Sequence, residues 1–226
     1  GSWRLRTAVD HDKDQTYLLH GLRSDAIARA RFPLGGMTKP EVREVARARG
    51  LPTAEKPESQ EICFVPDGDY RSLLRTRGWE PQRGEVVDEK GEVVGTHEGS
   101  AGFTVGQRRG LSVTGGAPRY VSAIDPRTNR ITIGRRESLE RREIHLTGAA
   151  TPSGELPAGV VLDGAARIRH RGVTAPGRLV SKGGGAATLE LRDPLWAPSP
   201  GQTVVLYDGE TLAAGGQISA HAPLHA

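Results

Sequence analysis

Cysteine is nearly absent. Cys63 is the only one among 226 residues. That excludes an internal disulfide, and it excludes zinc fingers and zinc ribbons, which need several thiols. A chain that makes no disulfide is expected in a reducing, cytoplasmic setting. Aromatic residues amount to 4% and hydrophobic residues to 36%, whereas glycine reaches 30 and proline 15. Such a composition argues against one large core and predicts several small, turn-rich units. No stretch approaches the roughly 20 apolar residues of a membrane helix, so no membrane partner is expected. No secretory leader is read at the start, where "GS" has the look of a tag-removal remnant. The net charge is +4 and the isoelectric point about 9.5. This balance permits a polyanionic partner such as nucleic acid, and an arginine-rich solvated surface explains it equally well.

What is present falls into an α-rich part followed by two β-rich parts. Asp12 and Gln15 have capping-box spacing ahead of Tyr17, Leu18 and Leu19. Thr38 and Glu41 repeat that spacing, with Pro40 in the first turn, Val42, Val45 and Ala46 at helical period, and Gly50 as the stop. A third helix is predicted from near Asp67 to Arg77, with Tyr70, Leu73 and Leu74 as its apolar stripe and Gly78 at its end. Beyond Gly78, "GEVVDEKGEVVGTH" and "RYVSAIDPRTNRITIGR" read as two hairpins around a basic glycine-bounded loop, "GFTVGQRRGLSVTGG". A second β region is expected from near Arg142, set off by a linker over residues 146–159. Its runs, "AARIRHRG", "GRLVSK", "ATLELRD", "QTVVLYDG" and "LAAGGQIS", predict a small antiparallel barrel. The expected fold class is α+β and multi-domain: residues 1–78 as the end of an α/β catalytic domain, 79–142 as a small central β domain, and 143–226 as a C-terminal barrel.

The single thiol lies in "EKPESQEICFVPDGDY". Ile62, Phe64 and Val65 surround it, so Cys63 reads either as a buried small hydrophobe or as a nucleophile or sulfur carrier. The second role requires a partly ionised thiol, and positive charge or a helix N-terminus favours that form. Lys56 stands nearby and a helix is predicted just downstream.

The ordered pieces "KDQTYLL", "FPLGGMTKPEVREVARARGL", "SQEICFV", "GDYRSLL", "GEVVD", "TVGQRRGL", "YVSAID" and "PGQTVVLY" resemble the tRNA-specific 2-thiouridylase family, over residues 12 to about 218. The resemblance implies a tRNA-uridine sulfurtransferase that places sulfur on C2 of the wobble uridine. ATP with Mg²⁺ would adenylate the uridine oxygen. The sulfur would come from a persulfide donor, a cysteine desulfurase or its relay protein. It implies that Cys63 is the catalytic residue, the persulfide-bearing cysteine. The family's "SGGxDS" phosphate loop and its earlier cysteine do not occur in these 226 residues. The expectation is therefore a C-terminal portion of such an enzyme, inactive alone and without ATP or another cofactor of its own.

The same resemblance places Lys13, Asp14 and Gln15, Arg169 with His170, and Gln202 against tRNA, His170 standing where some members have tyrosine. Arg167, Arg169 and Arg171 alternate and are expected on one face of a strand. With Arg108 and Arg109 of "GQRRGL", Arg167 and Arg171 are candidates for phosphate contact. No metal ligand set is read in this chain. An alternative is a non-catalytic RNA-binding module built on the barrel, with no use for a reactive thiol. A cysteine hydrolase using one of the seven histidines ranks behind both.

Overall fold

The strand "TVVLYD" carries apolar side chains on both faces, and the reason lies in what covers it. In the computed structural model, Val204 and Leu206 point into one core while Val205 and Tyr207 point into another. Successive strand residues face opposite ways, so both faces of this strand are packed. The structure describes residues 3–56, 70–78, 80–111, 117–170 and 172–219. The chain forms two compact units, one comprising Gly1–Ala54 with Arg141–Ala226, the other Glu55–Glu140.

The first unit is built on a barrel. Its strands are β5 (Glu140–Thr151), β7 (Val161–Arg167), β8 (Ala175–Gly183), β9 (Ala186–Trp196), β10 (Thr203–Asp208) and β11 (Thr211–Ile218). They run in the order β11-β10-β7-β8-β9-β5, and pairing of β11 with β5 closes the ring. A two-residue strand, β6 (Gly154–Glu155), adds to β5. The pairings are antiparallel, so this is the barrel that the run of short apolar segments predicts. Leu146, Ala166, Leu179, Leu189, Val204, Leu206 and Ala214 fill its interior. Residues 146–159 are not a linker: β5 continues through them to Thr151, burying Leu146 and Ala149. Gly148 has φ +61 and opens a bulge there. Gln217 pairs with Thr147 but Gly215 with Ala150, so Gly148 marks a kink within one strand.

The N-terminal segment packs on the outside of this barrel. Arg6 makes a bridge with Thr211, and Leu5, Tyr17 and Ile27 join Val205, Tyr207 and Leu212 in a second core. Residues Thr16–Leu19 form one 3-10 turn, followed by α1 (Ser24–Arg29) and α2 (Lys39–Ala48). The Asp12–Gln15 box is not made: Gln15 precedes the 3-10 turn with no side-chain cap, because Asp14 is the residue engaged there. At α2 the predicted signals hold. The Glu41 carboxylate accepts from the Thr38 N–H at 2.6 Å and from its hydroxyl at 2.8 Å. Gly50, at φ +63, donates to Arg47 O while Leu51 donates to Ala46 O, the paired bonds of a Schellman stop.

In the second unit, α3 (Tyr70–Thr76) precedes a four-stranded sheet. Strands β1 (Gly84–Val87) and β2 (Val93–His97) form one hairpin, and β3 (Tyr120–Asp125) and β4 (Arg130–Gly134) the other. Asp88 accepts from the N–H groups of Lys90 and Glu92, and Asp125 from Arg127 N–H and the Thr128 hydroxyl, fixing the two turns. A parallel pairing of β1 with β4 joins the hairpins into one mixed sheet. Val86, Val121, Ile131 and Ile133 form its core, with Phe103, Val105, Leu111 and Ile124 packed against them. No helix among the described residues is long and apolar enough to cross a membrane.

Candidate nucleic-acid interface

Asp14 is the buried centre of the "KDQ" segment, only 3% exposed. Its carboxylate accepts from Ala8 N–H at 3.0 Å, Thr16 N–H at 3.4 Å and the Thr16 hydroxyl at 2.7 Å, folding residues 8–16 around itself. Lys13 and Gln15, on either side, are exposed. Beneath them Arg167 stands 3.7 Å from the carboxylate and 5.3 Å over the ring of Tyr207. Because the Thr16 hydroxyl gives its proton to Asp14, the Tyr207 hydroxyl, 3.1 Å from it, is the donor in that contact. The result is a short relay from Tyr207 through Thr16 to Asp14. Burial pushes the Tyr207 phenol above its ordinary pKa and the Asp14 charge adds to this, against the Thr16 hydrogen bond and Arg167.

Tyr17 links this segment to the rest of the junction. Its hydroxyl donates to Thr203 O at 2.8 Å, and its ring lies 6.3 Å from that of His170, tilted by 51°. Burial, then the neighbouring Tyr207, raises its pKa as well. Arg169 donates from Nη2 to Ala197 O at 3.0 Å and lies 5.6 Å over the Trp196 ring. Ala197 is 1% exposed and has φ +51. From there the chain turns through Ser199, whose N–H donates to Gln202 Oε1 at 2.9 Å, while Gln202 N–H donates back to Ser199 O. Lys13, Asp14, Gln15, Arg169, His170 and Gln202, scattered over 190 positions of sequence, thus stand on three segments that touch one another.

Arg167 and Arg169 do not share the expected strand face. β7 ends at Arg167, so Arg169 lies on a bend and not on the strand, and Arg167 turns inward to Asp14. Arg171 and Cys63 lie outside the described residues. Arg108 and Arg109 belong to the other unit. There Gln107 accepts from Thr104 N–H and donates to Arg109 O at 2.8 Å, holding the loop in shape while both arginines stay exposed. Thr16 and Tyr17 lie within "KDQTYLL" and Tyr207 within "PGQTVVLY", but nothing in those stretches singles them out for this site, and Trp196 lies outside the quoted pieces. Among the described residues no group of three or more His, Cys, Asp or Glu side chains gathers as a metal site.

Three family models match in series: one described as tRNA methyl transferase HUP domain over residues 1–67, one as tRNA methyl transferase PRC-barrel domain over 74–135, and one as Aminomethyltransferase beta-barrel domain over 141–218. A protein named tRNA-specific 2-thiouridylase MnmA from Chloroflexus aggregans is 44% identical over 220 residues, covering 97% of this chain and 61% of its own length. Its namesake from Roseiflexus is 42% identical, covering 96% of this chain and 58% of its own length. Another from Acidithiobacillus ferrooxidans is 43% identical over 92% of this chain and 60% of its own length. The chain spans about three fifths of the curated relatives it matches. With consecutive matches from residue 1 to residue 218 and relatives of one name along nearly its whole length, this chain belongs to the tRNA-specific 2-thiouridylase family.

Proposed function

We propose that this chain binds tRNA and carries sulfur in an ATP-dependent tRNA-uridine 2-sulfurtransferase, in a cytoplasmic setting. The observation that carries the reading is the convergence of the "KDQ" segment, the end of β7 and the turn at Gln202 in one unit. The chemistry is that named for its relatives, tRNA-specific 2-thiouridylation. In this reading Lys13, Gln15, His170 and Gln202 face the RNA, and Asp14 and Arg169 serve the same junction. Arg108 and Arg109 are phosphate ligands on the second unit. ATP with Mg²⁺ supplies activation of the uridine C2 oxygen by adenylation. The thiolate of Cys63 attacks the outer sulfur of a donor persulfide and the donor thiolate leaves, so Cys63 becomes the persulfide. The outer sulfur then adds to C2 as adenylate departs. A second thiol breaks the sulfur–sulfur bond and ends in a disulfide with Cys63.

Sulfur acceptance is the step to test, because it requires only a reachable thiolate. Incubation with a cysteine desulfurase and isotopically labelled cysteine should add one sulfur to the peptide containing Cys63 and none to Cys63→Ser. With a single thiol in the chain, any added sulfane sulfur reports on Cys63 alone. A Cys63 that stays unmodified, and that also resists small thiol reagents in the native protein, would reject the carrier role.

A further inference from the structure

Arg167 ends β7, Arg169 lies on the bend just after it, and both side chains have partners within this unit. Between them Ile168 is 4% exposed and belongs to the barrel core, so the backbone that carries them is pinned. The Arg167 side chain is 20% exposed and approaches a carboxylate that is 2% exposed. The ring of Tyr207 covers its flat face and its Nε is buried. Arg169 has the Trp196 ring against its guanidinium and one N–H committed to Ala197 O. An arginine that binds phosphate presents its fork of N–H groups outward. Arg167 is turned to Asp14 instead, and Arg169 has one edge committed to Ala197 O.

What they hold is more telling. Arg167 reaches the carboxylate that organises residues 8–16, and so sets Lys13 and Gln15. Arg169 grips the carbonyl of Ala197, whose φ of +51 is a conformation that a non-glycine residue adopts only when its surroundings hold it. Two residues later Ser199 begins the turn that Gln202 closes.

We propose that the last residue of β7 and the bend after it form a two-armed clamp: Arg167 fixes the "KDQ" segment and Arg169 fixes the 196–202 corner, so both are positioning residues for tRNA and not phosphate ligands. This rests on the tRNA-binding reading. Lysine should not replace either arginine, because an ammonium keeps the charge and loses the planar fork and stack.

The test measures tRNA affinity of the 226-residue chain at several salt concentrations. It uses Arg167→Lys, Arg169→Lys, Arg169→Ala and the double variant Arg169→Ala/Ala197→Gly, with hydrogen exchange recorded on each protein without tRNA. Loss of a phosphate ligand lowers the slope of log K against log salt by about 0.7–0.9. Loss of a clamp lowers affinity and leaves the slope alone. The expected result is about a ten-fold loss for all three single variants, the size of one charge-assisted hydrogen bond at Arg169 and of one partly buried ion pair at Arg167, with the slope unchanged. Ala197→Gly should recover most of the loss in the Arg169→Ala background, since glycine takes positive φ unaided. Exchange at Gly201 and Gln202, whose amides donate to Ile218 O and Ser199 O, should rise in Arg169→Ala and fall back in the double variant. Wild-type affinity in Arg169→Lys together with a reduced slope in Arg169→Ala would overturn the proposal and make Arg169 a phosphate ligand. Unchanged affinity in every variant would also overturn it. If the unaltered chain binds no tRNA, the tRNA reading itself fails; the clamp is then decided by exchange, and unchanged protection at Gly201 and Gln202 in Arg169→Ala would reject it.

Discussion

Leu206 and Tyr207 are sequence neighbours that stabilise different interfaces. Leu206 is fully buried inside the barrel, while Tyr207 is 3% exposed under the N-terminal segment and makes one hydrogen-bond contact through its hydroxyl, to Thr16. Leu206→Ala removes buried methyl groups and leaves a cavity, so it should cost about 2–5 kcal/mol in urea unfolding. Tyr207→Phe removes one hydrogen bond to a hydroxyl that keeps its other partner, and should cost about 0.5–1.5 kcal/mol. Equal costs would contradict this division between the two faces of β10. The tyrosines also set an alkaline limit. Tyr17 and Tyr207 both have raised pKa values in the folded protein, with burial the first cause. A raised pKa in the fold means that the neutral phenol is favoured there. The stabilisation is complete below the ordinary tyrosine value of about 10 and disappears as pH rises through the folded values. The melting temperature should therefore fall above about pH 10, and fall less in Tyr207→Phe. An identical alkaline profile in that variant would show that Tyr207 does not contribute.

Among the elements, strand β1 depends on a position where no side chain fits. A Cβ on Gly84 would lie 2.0 Å from Asn129 O and 2.6 Å from His97 Nε2. Those two atoms are themselves hydrogen-bonded at 3.1 Å, and His97 Nδ1 accepts from Gly99 N–H at 2.9 Å. Accepting at Nδ1 makes this histidine a neutral ring that donates from Nε2. The triangle of Gly84, His97 and Asn129 ties the start of β1 to the end of β2 and to the turn before β4. Gly84→Ala must push a backbone carbonyl aside, which should cost about 1–3 kcal/mol. Hydrogen exchange should localise the damage, with faster exchange in residues 84–134 and unchanged protection in the barrel. Full protection of β1 and β4 in Gly84→Ala would show that the strand relaxes without loss.

For the whole molecule the relevant quantity is charge against a polyanion. A net charge of +4 is modest, so affinity for tRNA is expected to come from a few placed cations and to fall steeply as salt rises. Lys13, Arg108 and Arg109 are exposed, whereas Arg167 and Arg169 are partly buried. Each of Lys13→Ala, Arg108→Ala and Arg109→Ala should reduce the slope of log K against log salt by about 0.7–0.9, the release of one phosphate contact. A slope that stays constant through all three would mark these side chains as solvated surface without a role in binding.

The sequence by itself determined the features whose partners lie close by in the chain. Glu41 caps α2 from three residues away, Gly50 stops it, and Asp88 and Asp125 fix hairpin turns through their own neighbouring backbone. The barrel strands were legible because their turns and apolar periods are local as well. The resemblance in "KDQ", in the stretch through Arg169 and His170, and in "PGQ" indicated which segments to bring together. What each side chain does there follows from contacts made across distant segments. Asp12 and Gln15 have capping-box spacing, yet Asp14 wins the local donors because Arg167, 153 positions on in sequence, lies against its carboxylate. Residues 146–159 read as a linker, yet β11 pairs across Gly148 and makes it a bulge within β5. The alternation of Arg167 and Arg169 predicts one outward face, yet Tyr207 and Trp196 draw them onto two inward surfaces. A carboxylate or guanidinium goes where its desolvation is offset by partners, and here those partners come from strands that the sequence places far away.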